Sequence, residues 1–268
     1  MKNKVIIITG ASSGIGKALA EELASQGAKL VIAARNTEKL KDVYDELLKS
    51  NPDILMVQTD VSKEADCIKL INLTVEKFGT LDILINNAGI SMRALFKDLD
   101  LSVIRQLMDV NFWGTVYCTK YALPHLLKSK GSVVGVSSIA GYKGLPGRTG
   151  YSSSKFAIQG FLETLRIENL KNGLHVLIAC PGFTASNIRN TALAKDGSMQ
   201  GESPLDEGKL MTAETVAKKI IIAVQKRKHR LILTTQGKLI VFLNKFFPKM
   251  MDKMVYNHMA KETDSPFK

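Results

Sequence analysis

The sequence has few of the residues that mark disulfide-rich or metal-binding proteins. Only three cysteines occur among 268 residues, far apart, and none forms a CxxC pair. An odd and sparse set disfavours a disulfide framework and favours a reducing compartment, so we expect a cytoplasmic location. The four histidines show no ligand spacing, and we therefore expect no metal site.

Long apolar runs are also absent. The first run, Val5 to Ile8, follows two lysines, but it is too short for the apolar region of a signal peptide and Thr9-Gly10 follows at once. No other run approaches the length of a transmembrane helix. Hydrophobic residues make up 45% and charged residues 23% of the chain, which is typical of a globular protein with a real core.

Acidic residues are scarce relative to basic ones, and the formal net charge is +12. Twelve Lys/Arg stand against four Asp/Glu from Met211 to Lys268, so +8 of the total lies in the last fifth of the chain. This basic tail fits an anionic surface, cofactor phosphates or a merely solvated face. No base-reading motif accompanies it, so we expect no nucleic-acid partner.

Apolar periodicity predicts strands that alternate with helices. The predicted strands are 5–9, 29–34, 54–58, 82–86, 132–136 and 174–179, with a last strand at 231–233. The predicted helices are 14–26, 37–49, 62–78, 101–127, which Pro124 should end, and 151–171. The alternation is typical of βαβ units and predicts an α/β fold with a doubly wound parallel sheet and a ligand crevice at the strands' carboxyl ends.

A glycine-rich turn joins the first strand to the first helix. Its sequence is Thr9-Gly10-Ala11-Ser12-Ser13-Gly14-Ile15-Gly16. Glycines permit a tight turn and the close approach of a pyrophosphate to the helix N-terminus, where free N–H groups and the helix dipole favour anions. Such turns often serve packing alone, but the strand–turn–helix context favours dinucleotide binding.

Further motifs follow in order, and the set resembles the short-chain dehydrogenase/reductase family. These are TGxxxGxG in the turn, Asp60-Val61, Asn86-Asn87-Ala88-Gly89, Asn111, Ser138, the YxxxK pair Tyr151 and Lys155, and Pro181-Gly182. The resemblance extends from Lys4 to Ser186 and is to the branch of hydroxysteroid dehydrogenases and lipid carbonyl reductases. It implies a Rossmann-type doubly wound parallel sheet in a single domain with a C-terminal helical extension.

Four residues form the expected catalytic set: Asn111, Ser138, Tyr151 and Lys155. A carbonyl that accepts a hydride becomes an alkoxide and needs a proton and a stabilising donor. A free tyrosine, with a pKa of about 10, is too weak a group near neutrality, and a nearby lysine ammonium should lower that pKa. At i and i+4 of a helix, Tyr151 and Lys155 can both face one crevice.

The remaining roles in this set rest largely on the resemblance. Ser138 would hydrogen-bond the substrate oxygen, Lys155 would hold the ribose hydroxyls, and Asn111 would anchor a water that relays protons to Lys155. Neighbouring strand residues point to opposite faces, so only one of Ser137 and Ser138 can face the crevice. The family spacing to Tyr151 selects Ser138, and Ser137 is interpreted as a structural hydroxyl.

The expected cofactor is NADP(H). NAD-specific Rossmann enzymes need an acidic residue after the second strand, where this chain has Ala34, whereas the guanidinium of Arg35 suits a 2′-phosphate. Many NADP-dependent members carry a second basic residue in the glycine turn, where this chain has Ser13. The expected cofactor-binding residues are Gly10, Ser12, Ser13, Gly14, Ile15, Gly16, Arg35, Asn36, Asp60, Val61, Asn87, Ala88, Gly89, Tyr151, Lys155, Pro181, Gly182, Thr184 and Ser186.

The C-terminal third predicts a substrate loop and an amphipathic tail. We divide the domain into a core at 1–186, a substrate loop at 187–210 and C-terminal helices with a strand at 211–268. Apolar residues recur at helical spacing from Leu243 to Val255, with lysines opposite, and Pro248 should begin a fresh helix. This stripe favours burial in a homodimer or homotetramer over peripheral membrane contact through 239–259.

The predicted function is an NADP(H)-dependent oxidoreductase that interconverts a ketone and a secondary alcohol on an apolar, steroid- or lipid-like substrate. The alternative is a non-catalytic nucleotide-binding scaffold or a membrane-surface adaptor on the same fold. Loss of Tyr151, Lys155 or Ser138 would have favoured that alternative, and all three residues are present.

Overall fold

A seven-stranded parallel sheet forms the centre of the computed structural model, which describes residues 1–184, 188–201, 210–261, 265 and 267. The strand order is β3-β2-β1-β4-β5-β6-β7, and every neighbouring pair is parallel. The strands are β1 (Val5–Thr9), β2 (Lys29–Ala34), β3 (Ile54–Gln58), β4 (Ile83–Asn86), β5 (Ser132–Val136), β6 (His175–Cys180) and β7 (Arg230–Ile232). The predicted α/β fold with a doubly wound sheet is confirmed.

Helices cover both faces of this sheet. They are α1 (Gly14–Ser25), α2 (Thr37–Leu48), α3 (Glu64–Phe78), α4 (Leu101–Leu107), α5 (Gly114–Lys128), α6 (Thr149–Glu168), α7 (Ala213–Gln225), α8 (Thr235–Phe246) and α9 (Pro248–Ala260). Apolar residues of α1, α2 and α7 share one core layer, and those of α3, α5 and α6 share the other. The inner strands β1, β2, β4, β5 and β6 are therefore buried on both faces, as continuous apolar strands of parallel sheets are, whereas the edge strands β3 and β7 are only partly buried.

The strand order reverses beside β1, and this reversal places the crevice. Both β2 and β4 pair with β1, so the loops that leave β1 and β4 diverge to opposite faces of the sheet. In open α/β sheets a ligand binds at the carboxyl ends of the strands at such a point. The glycine turn after β1 and the Asn87 segment after β4 both lie at this edge.

The predicted helix 101–127 is helical along its whole length, but it is not a regular α-helix throughout. A π-helical segment, Met108–Trp113, separates α4 from α5, and it contains the fully buried Asn111. Two contacts account for the interruption: the side chain of Asn111 is bonded to the backbone of Ile90, and Gly114 packs so tightly on Val61 that an added Cβ would lie 2.7 Å from Val61 Cγ2.

Pro124 does not end this helix either. It lies inside α5, which continues to Lys128. Proline removes one hydrogen bond from a helix and clashes with the preceding turn, but tertiary packing can hold the helix together. Here Ala122 and Leu126, on either side of Pro124, are fully buried against the sheet.

The C-terminal helices follow β7, and α9 begins at Pro248 as predicted. Helix α8 begins at Thr235, eight residues before the start of the predicted apolar stripe. The stripe is divided rather than continuous, because Met251 is buried while Phe246, Phe247, Met250 and Met254 are exposed. Its apolar residues therefore serve two surfaces, one inside the fold and one facing outward.

Candidate active site

The glycine turn after β1 forms one end of a cavity of about 570 Å³. Gly10 and Gly14 adopt φ angles of 66° and 54°, a left-handed conformation that favours glycine. Gly16 has a packing role: a Cβ there would lie 2.1 Å from the carbonyl oxygen of Gly10. The turn therefore brings the N-terminus of α1, with Ser13 as its cap residue, against the cavity.

Thr9 and Asn87 join the glycine turn to the segment after β4. The Thr9 hydroxyl oxygen accepts hydrogen bonds from the backbone N–H groups of Asn87 and Ala88, both at 3.0 Å. The Asn87 side-chain amide donates to the carbonyl oxygens of Thr9 (2.9 Å) and Gly10 (3.2 Å). The predicted site did not include Thr9, although this residue begins the glycine motif. These bonds hold the two segments at a set distance.

Two cations lie where β2 ends. Arg35 is exposed and lines the cavity, and Lys39, in the first turn of α2, lines it as well. Asn36 caps α2, because its side-chain oxygen accepts from the backbone N–H of Lys39 at 2.8 Å. The resemblance would put a second basic residue in the glycine turn, where the chain has Ser13; the structure places Lys39 at the cavity instead. Its position four residues after Arg35, in the first turn of the next helix, could have revealed it.

Other predicted cofactor residues lie along the same cavity wall. The Asp60 carboxylate accepts hydrogen bonds from the backbone N–H (3.1 Å) and the hydroxyl (2.7 Å) of Ser62, so it also shapes its own turn. The described predicted residues that line the cavity are Gly10, Ser12, Ser13, Gly14, Ile15, Arg35, Asn36, Asp60, Val61, Asn87, Ala88, Gly89, Ser138, Tyr151, Lys155, Pro181, Gly182 and Thr184. Ser186 lies outside the described residues.

Ser137 and Ser138 face different surroundings after β5. The buried Ser137 hydroxyl donates to the carbonyl oxygen of Lys155 and accepts from Gln159 Nε2, both at 3.2 Å. Ser138 is partly exposed, and its hydroxyl oxygen accepts from the backbone N–H of Ala140 at 3.1 Å. The Ser138 hydroxyl also lies close enough to Tyr151 to lower the pKa of its phenol. The Ser137 hydroxyl is therefore used in hydrogen bonds within the fold, whereas Ser138 lines the cavity with Tyr151.

Tyr151 and Lys155 lie on one face of α6, with Lys155 Nζ 5.6 Å from the centre of the Tyr151 ring. Burial raises the pKa of Tyr151, although the Ser138 hydroxyl and the charges of Arg148 and Arg189 act in the opposite direction. Burial lowers the pKa of Lys155 to about 8. The expectation that Lys155 brings the tyrosine pKa below its ordinary value is therefore wrong for the protein alone, because desolvation outweighs the nearby charges.

Asn111 does not line the cavity; it lies behind it. Its side-chain nitrogen donates to the carbonyl oxygen of Ile90 (3.0 Å) and to the hydroxyl oxygen of Ser154 (2.9 Å). Its side-chain oxygen accepts from the backbone N–H of Ile90 at 2.8 Å. Both amide protons are therefore used by protein groups, and the side chain acts on the site through the segment after β4 and through α6.

The far wall of the cavity is formed largely by the loop before α6 and by described residues of the predicted substrate loop 187–210. Lys143, Arg148 and Arg189 line it, and the Arg148 guanidinium donates to the hydroxyl of Ser91 at 2.9 Å. Apolar residues complete this wall: Ile90, Val110, Leu145, Phe183, Ile188, Leu193, Met199, Ile240 and Val255. This half of the cavity therefore joins an apolar surface to a few cations.

The described residues form neither a metal centre nor a membrane-spanning helix. No group of three or more histidine, cysteine, aspartate or glutamate side chains is arranged to hold a metal ion there. No helix within that part of the chain combines the length and the apolarity that crossing a bilayer requires.

Comparison with known proteins places this geometry among related chains. The model of the short chain dehydrogenase family matches residues 4–197. An 11-beta-hydroxysteroid dehydrogenase A of Arachis hypogaea is 45% identical over 206 residues, which are 76% of this chain and 58% of that relative. A dehydrogenase/reductase SDR family protein 7-like of Dictyostelium discoideum is 36% identical over 262 residues, which are 95% of this chain and 81% of the relative. The chain thus spans little more than half of the Arachis relative.

Solved structures show the same fold. A short chain dehydrogenase/reductase from Burkholderia phymatum in complex with NAD has a TM-score of 0.84 at 24% identity, covering 93% of this chain and 95% of that one. An alcohol dehydrogenase from the archaeon Thermococcus sibiricus, complexed with 5-hydroxy-NADP, has a TM-score of 0.74 at 26% identity, covering 86% and 94%. The chain's architecture is therefore the architecture of these proteins.

Proposed function

Because the chain belongs to the short-chain dehydrogenase family, we propose that it is an NADP(H)-dependent oxidoreductase that interconverts a ketone and a secondary alcohol on an apolar substrate. The observation that carries this proposal is the meeting of Ser138, Tyr151 and Lys155 in the cavity that the glycine turn opens. A scaffold that only bound a nucleotide would not need a tyrosine hydroxyl next to a serine hydroxyl and a buried lysine.

In the proposed reaction, Tyr151 moves the proton. Its hydroxyl donates to the developing alkoxide during reduction and takes the proton from the alcohol during oxidation. Ser138, whose hydroxyl lines the same cavity beside Tyr151, is placed to hold the same substrate oxygen. Lys155 Nζ donates to the carbonyl oxygen of Val136 at 2.9 Å, which fixes the ammonium beneath the tyrosine. The nearby charges of Arg148 and Arg189 favour tyrosinate.

The cavity fits a nicotinamide dinucleotide. Its glycine turn allows close backbone approach, and the N-terminus of α1 supplies free N–H groups for a pyrophosphate. Arg35 and Lys39 provide two cations for a 2′-phosphate, and Ala34 provides no carboxylate that would repel one. The bound nicotinamide would supply or accept the hydride. One solved neighbour is in complex with NAD and the other with 5-hydroxy-NADP, so the two support the class of cofactor. The preference for NADP(H) rests on Arg35 and Lys39.

An apolar substrate is supported by the wall that faces Tyr151. Leu145, Leu193, Met199 and Ile240 belong to it, and burying apolar surface there contributes about 25 cal/mol per Å². The name of the Arachis relative, an 11-beta-hydroxysteroid dehydrogenase, supports a steroid- or lipid-like ring system.

The catalytic assignment is tested by Tyr151→Phe, with Tyr44→Phe on the distant helix α2 as the matched control. NADPH oxidation is followed with a panel of ketones. Loss of general acid–base help should lower kcat by about 10²–10⁴-fold for Tyr151→Phe while NADPH still binds, and the control should match the wild type. Near-normal turnover by Tyr151→Phe on any ketone that the wild type reduces would refute the assignment.

The cofactor preference is tested by Arg35→Ser and Lys39→Gln. Lys41→Gln is the control, because Lys41 lies on the same helix, pairs with Asp45 and does not line the cavity. Fluorescence titration should show weaker NADPH binding by both variants, since a hydrogen bond to a charged group contributes about 1.5–3 kcal/mol. Adding Ala34→Asp to Arg35→Ser should shift the preference towards NADH. Equal affinity of the wild type for NADH and NADPH would contradict the proposal.

For partners, we propose a homodimer or homotetramer, with peripheral membrane contact as a secondary role. An exposed apolar face on α8 and α9 supports it, formed by Leu239, Phe242, Phe246, Phe247, Met250 and Met254. Phe242→Glu with Phe246→Glu should weaken self-association in analytical ultracentrifugation and reduce sedimentation with anionic vesicles; Leu48→Gln on α2 is the control. A wild-type protein that is monomeric and does not sediment with anionic vesicles would refute both roles.

A further inference from the structure

A second, outer pocket lies beside the cavity, between the loop before α6 and the helix α9. Its volume is about 460 Å³, and Gly144, Pro146, Asp252, Tyr256 and Asn257 line it. Lys143 and Val255 line both this pocket and the cavity that contains Tyr151. The two spaces therefore share a wall made of two side chains.

An ion pair holds this shared wall in place. Lys143 is 8% exposed, and its ammonium pairs with the carboxylate of Asp252. Asp252 is the only acidic residue between Thr235 and Lys261. Because a buried ammonium is costly without a partner, the pair ties α9 to the loop that precedes α6. It also leaves the wall itself without net charge.

The shared wall stands at the Tyr151 end of the cavity. The loop from Lys143 to Arg148 leads directly into α6, and the backbone N–H of Leu145 donates to the Ser152 hydroxyl at 3.3 Å. The glycine turn and Arg35 form the opposite end. A substrate whose carbonyl carbon lies against Tyr151 therefore has Leu145, Lys143 and Val255 beside it.

The volume of the cavity limits what it can hold. Sites for one drug-sized ligand measure about 300–1,000 Å³, and the cavity measures about 570 Å³. The proposed reaction requires a dinucleotide and a carbonyl compound there together. A small ketone needs only the space next to Tyr151, whereas a long molecule extends past the side chains of Lys143 and Val255 into the adjoining space. The outer pocket is such a space, and it adjoins the reacting end.

Building on the proposed function, we propose that the outer pocket is a distal substrate subsite. The substrate class it fits is an elongated, mainly apolar carbonyl compound or alcohol with a neutral hydrogen-bonding group at its far end. Tyr256 and Asn257 supply neutral donors and acceptors for that group, and Asp252 and Lys143 neutralise each other. Lys253, which also lines the pocket, is exposed to solvent.

Gly144 allows this subsite to be filled selectively. It lines the outer pocket and not the cavity, and a Cβ added there would meet no atom within 4 Å. Its φ angle is outside the left-handed region, so a side chain is tolerated. Gly144→Phe therefore adds a ring at the edge of the outer pocket without touching the reacting groups. Gly160→Phe is the matched control, because Gly160 is exposed on α6, has equally open space and lines neither pocket.

Two probe ketones of different length make the measurement. With NADPH, kcat/KM is determined for the four-ring compound 5α-androstane-3,17-dione and for cyclohexanone, and binding of the dione to NADP⁺-loaded protein is measured by calorimetry. Gly144→Phe should lower kcat/KM for the dione about tenfold or more, mainly through KM, the scale on which a pocket discriminates one buried methylene. Cyclohexanone turnover, NADPH affinity and the Gly160→Phe control should be unchanged.

The outcomes separate this proposal from the proposed function. An unchanged ratio of dione to cyclohexanone kcat/KM in Gly144→Phe overturns the subsite. A wild type that reduces cyclohexanone but neither binds nor reduces the dione also overturns the subsite and leaves the oxidoreductase intact. Dione binding that Gly144→Phe weakens, without turnover of either ketone by the wild type, supports the subsite and overturns the proposed function. A wild type that neither binds the dione nor turns over either ketone refutes both.

Discussion

Replacing Asn111 by alanine should lower the free energy of unfolding as well as kcat. The amide side chain holds the backbone of Ile90 from both sides, accepting from its N–H at 2.8 Å and donating to its carbonyl oxygen at 3.0 Å. It also donates to the Ser154 hydroxyl on α6 at 2.9 Å. Asn111→Ala removes all three hydrogen bonds and leaves a small cavity in place of the amide group.

The expected loss follows from the groups left without partners. A buried polar group that loses its partner costs about 1–3 kcal/mol. Ile90 presents two such groups, and because Ile90 is half-buried, water can reach them in part, so we expect a loss of about 2–4 kcal/mol. For a chain of this size, each kcal/mol lowers Tm by about 2–4 °C, which predicts a decrease of about 4–16 °C.

The measurement is thermal unfolding by circular dichroism, together with kcat and NADPH affinity. Thr115→Val is the matched control, because it removes only the bond from the Thr115 hydroxyl to the Asn111 carbonyl oxygen (2.8 Å) and keeps the side-chain shape. It should cost about 1 kcal/mol. An Asn111→Ala protein with wild-type Tm and much reduced kcat would refute this reasoning and support a purely proton-relaying role.

Three other changes test the structure from different directions. Burial lowers the pKa of Lys155 from 10.5 to about 8, so between these pH values the unfolded chain binds one more proton than the folded protein. The free energy of unfolding should therefore rise with pH across that window. Urea titrations at several pH values should show that Lys155→Met abolishes this part of the rise. Gly16→Ala forces a Cβ against the Gly10 carbonyl oxygen, so NADPH affinity measured by fluorescence should fall at least tenfold; wild-type affinity would show that the turn is not held by this contact. Pro124→Ala restores a helix hydrogen bond at an exposed position of α5 and should raise the free energy of unfolding in urea by about 1–3 kcal/mol. Lys120→Ala on the same helix is the control and should change it by less than about 0.5 kcal/mol. A destabilised Pro124→Ala would mean that the proline ring packs favourably.

The sequence predicted the strands and the family well, because both depend on local pattern. Short β-branched runs separated by helical periodicity set the parallel sheet, and the observed strands agree with the predicted ones within a residue or two. The motifs around Tyr151 and the glycine turn are read from spacing along one helix and one turn. Helix α7 shows the same local signal, since Val216, Ile220 and Val224 are buried at a spacing of four residues.

Tertiary contacts decided what the local pattern could not. Periodicity favoured one helix from 101 to 127, but the bonds between Asn111 and Ile90 interrupt it with a π-helical segment. Local rules predicted that Pro124 ends a helix, and packing of α5 on the sheet overrides them. Spacing brought Lys155 near Tyr151, but the pKa of each depends on how completely the fold removes water, which distance along the chain does not encode.

The sequence therefore determined which reactive groups the site contains, and the fold determined which side chains surround them. Residue types at i and i+4 of a helix, or in a turn of eight residues, determine which groups can act, because neighbours in the chain are neighbours in space there. The ion pair of Lys143 with Asp252 and the outer pocket against α9 needed the tertiary structure. Lys143 and Asp252 are 109 positions apart, and only the packing of the C-terminal helices onto the edge of the cavity brings them together.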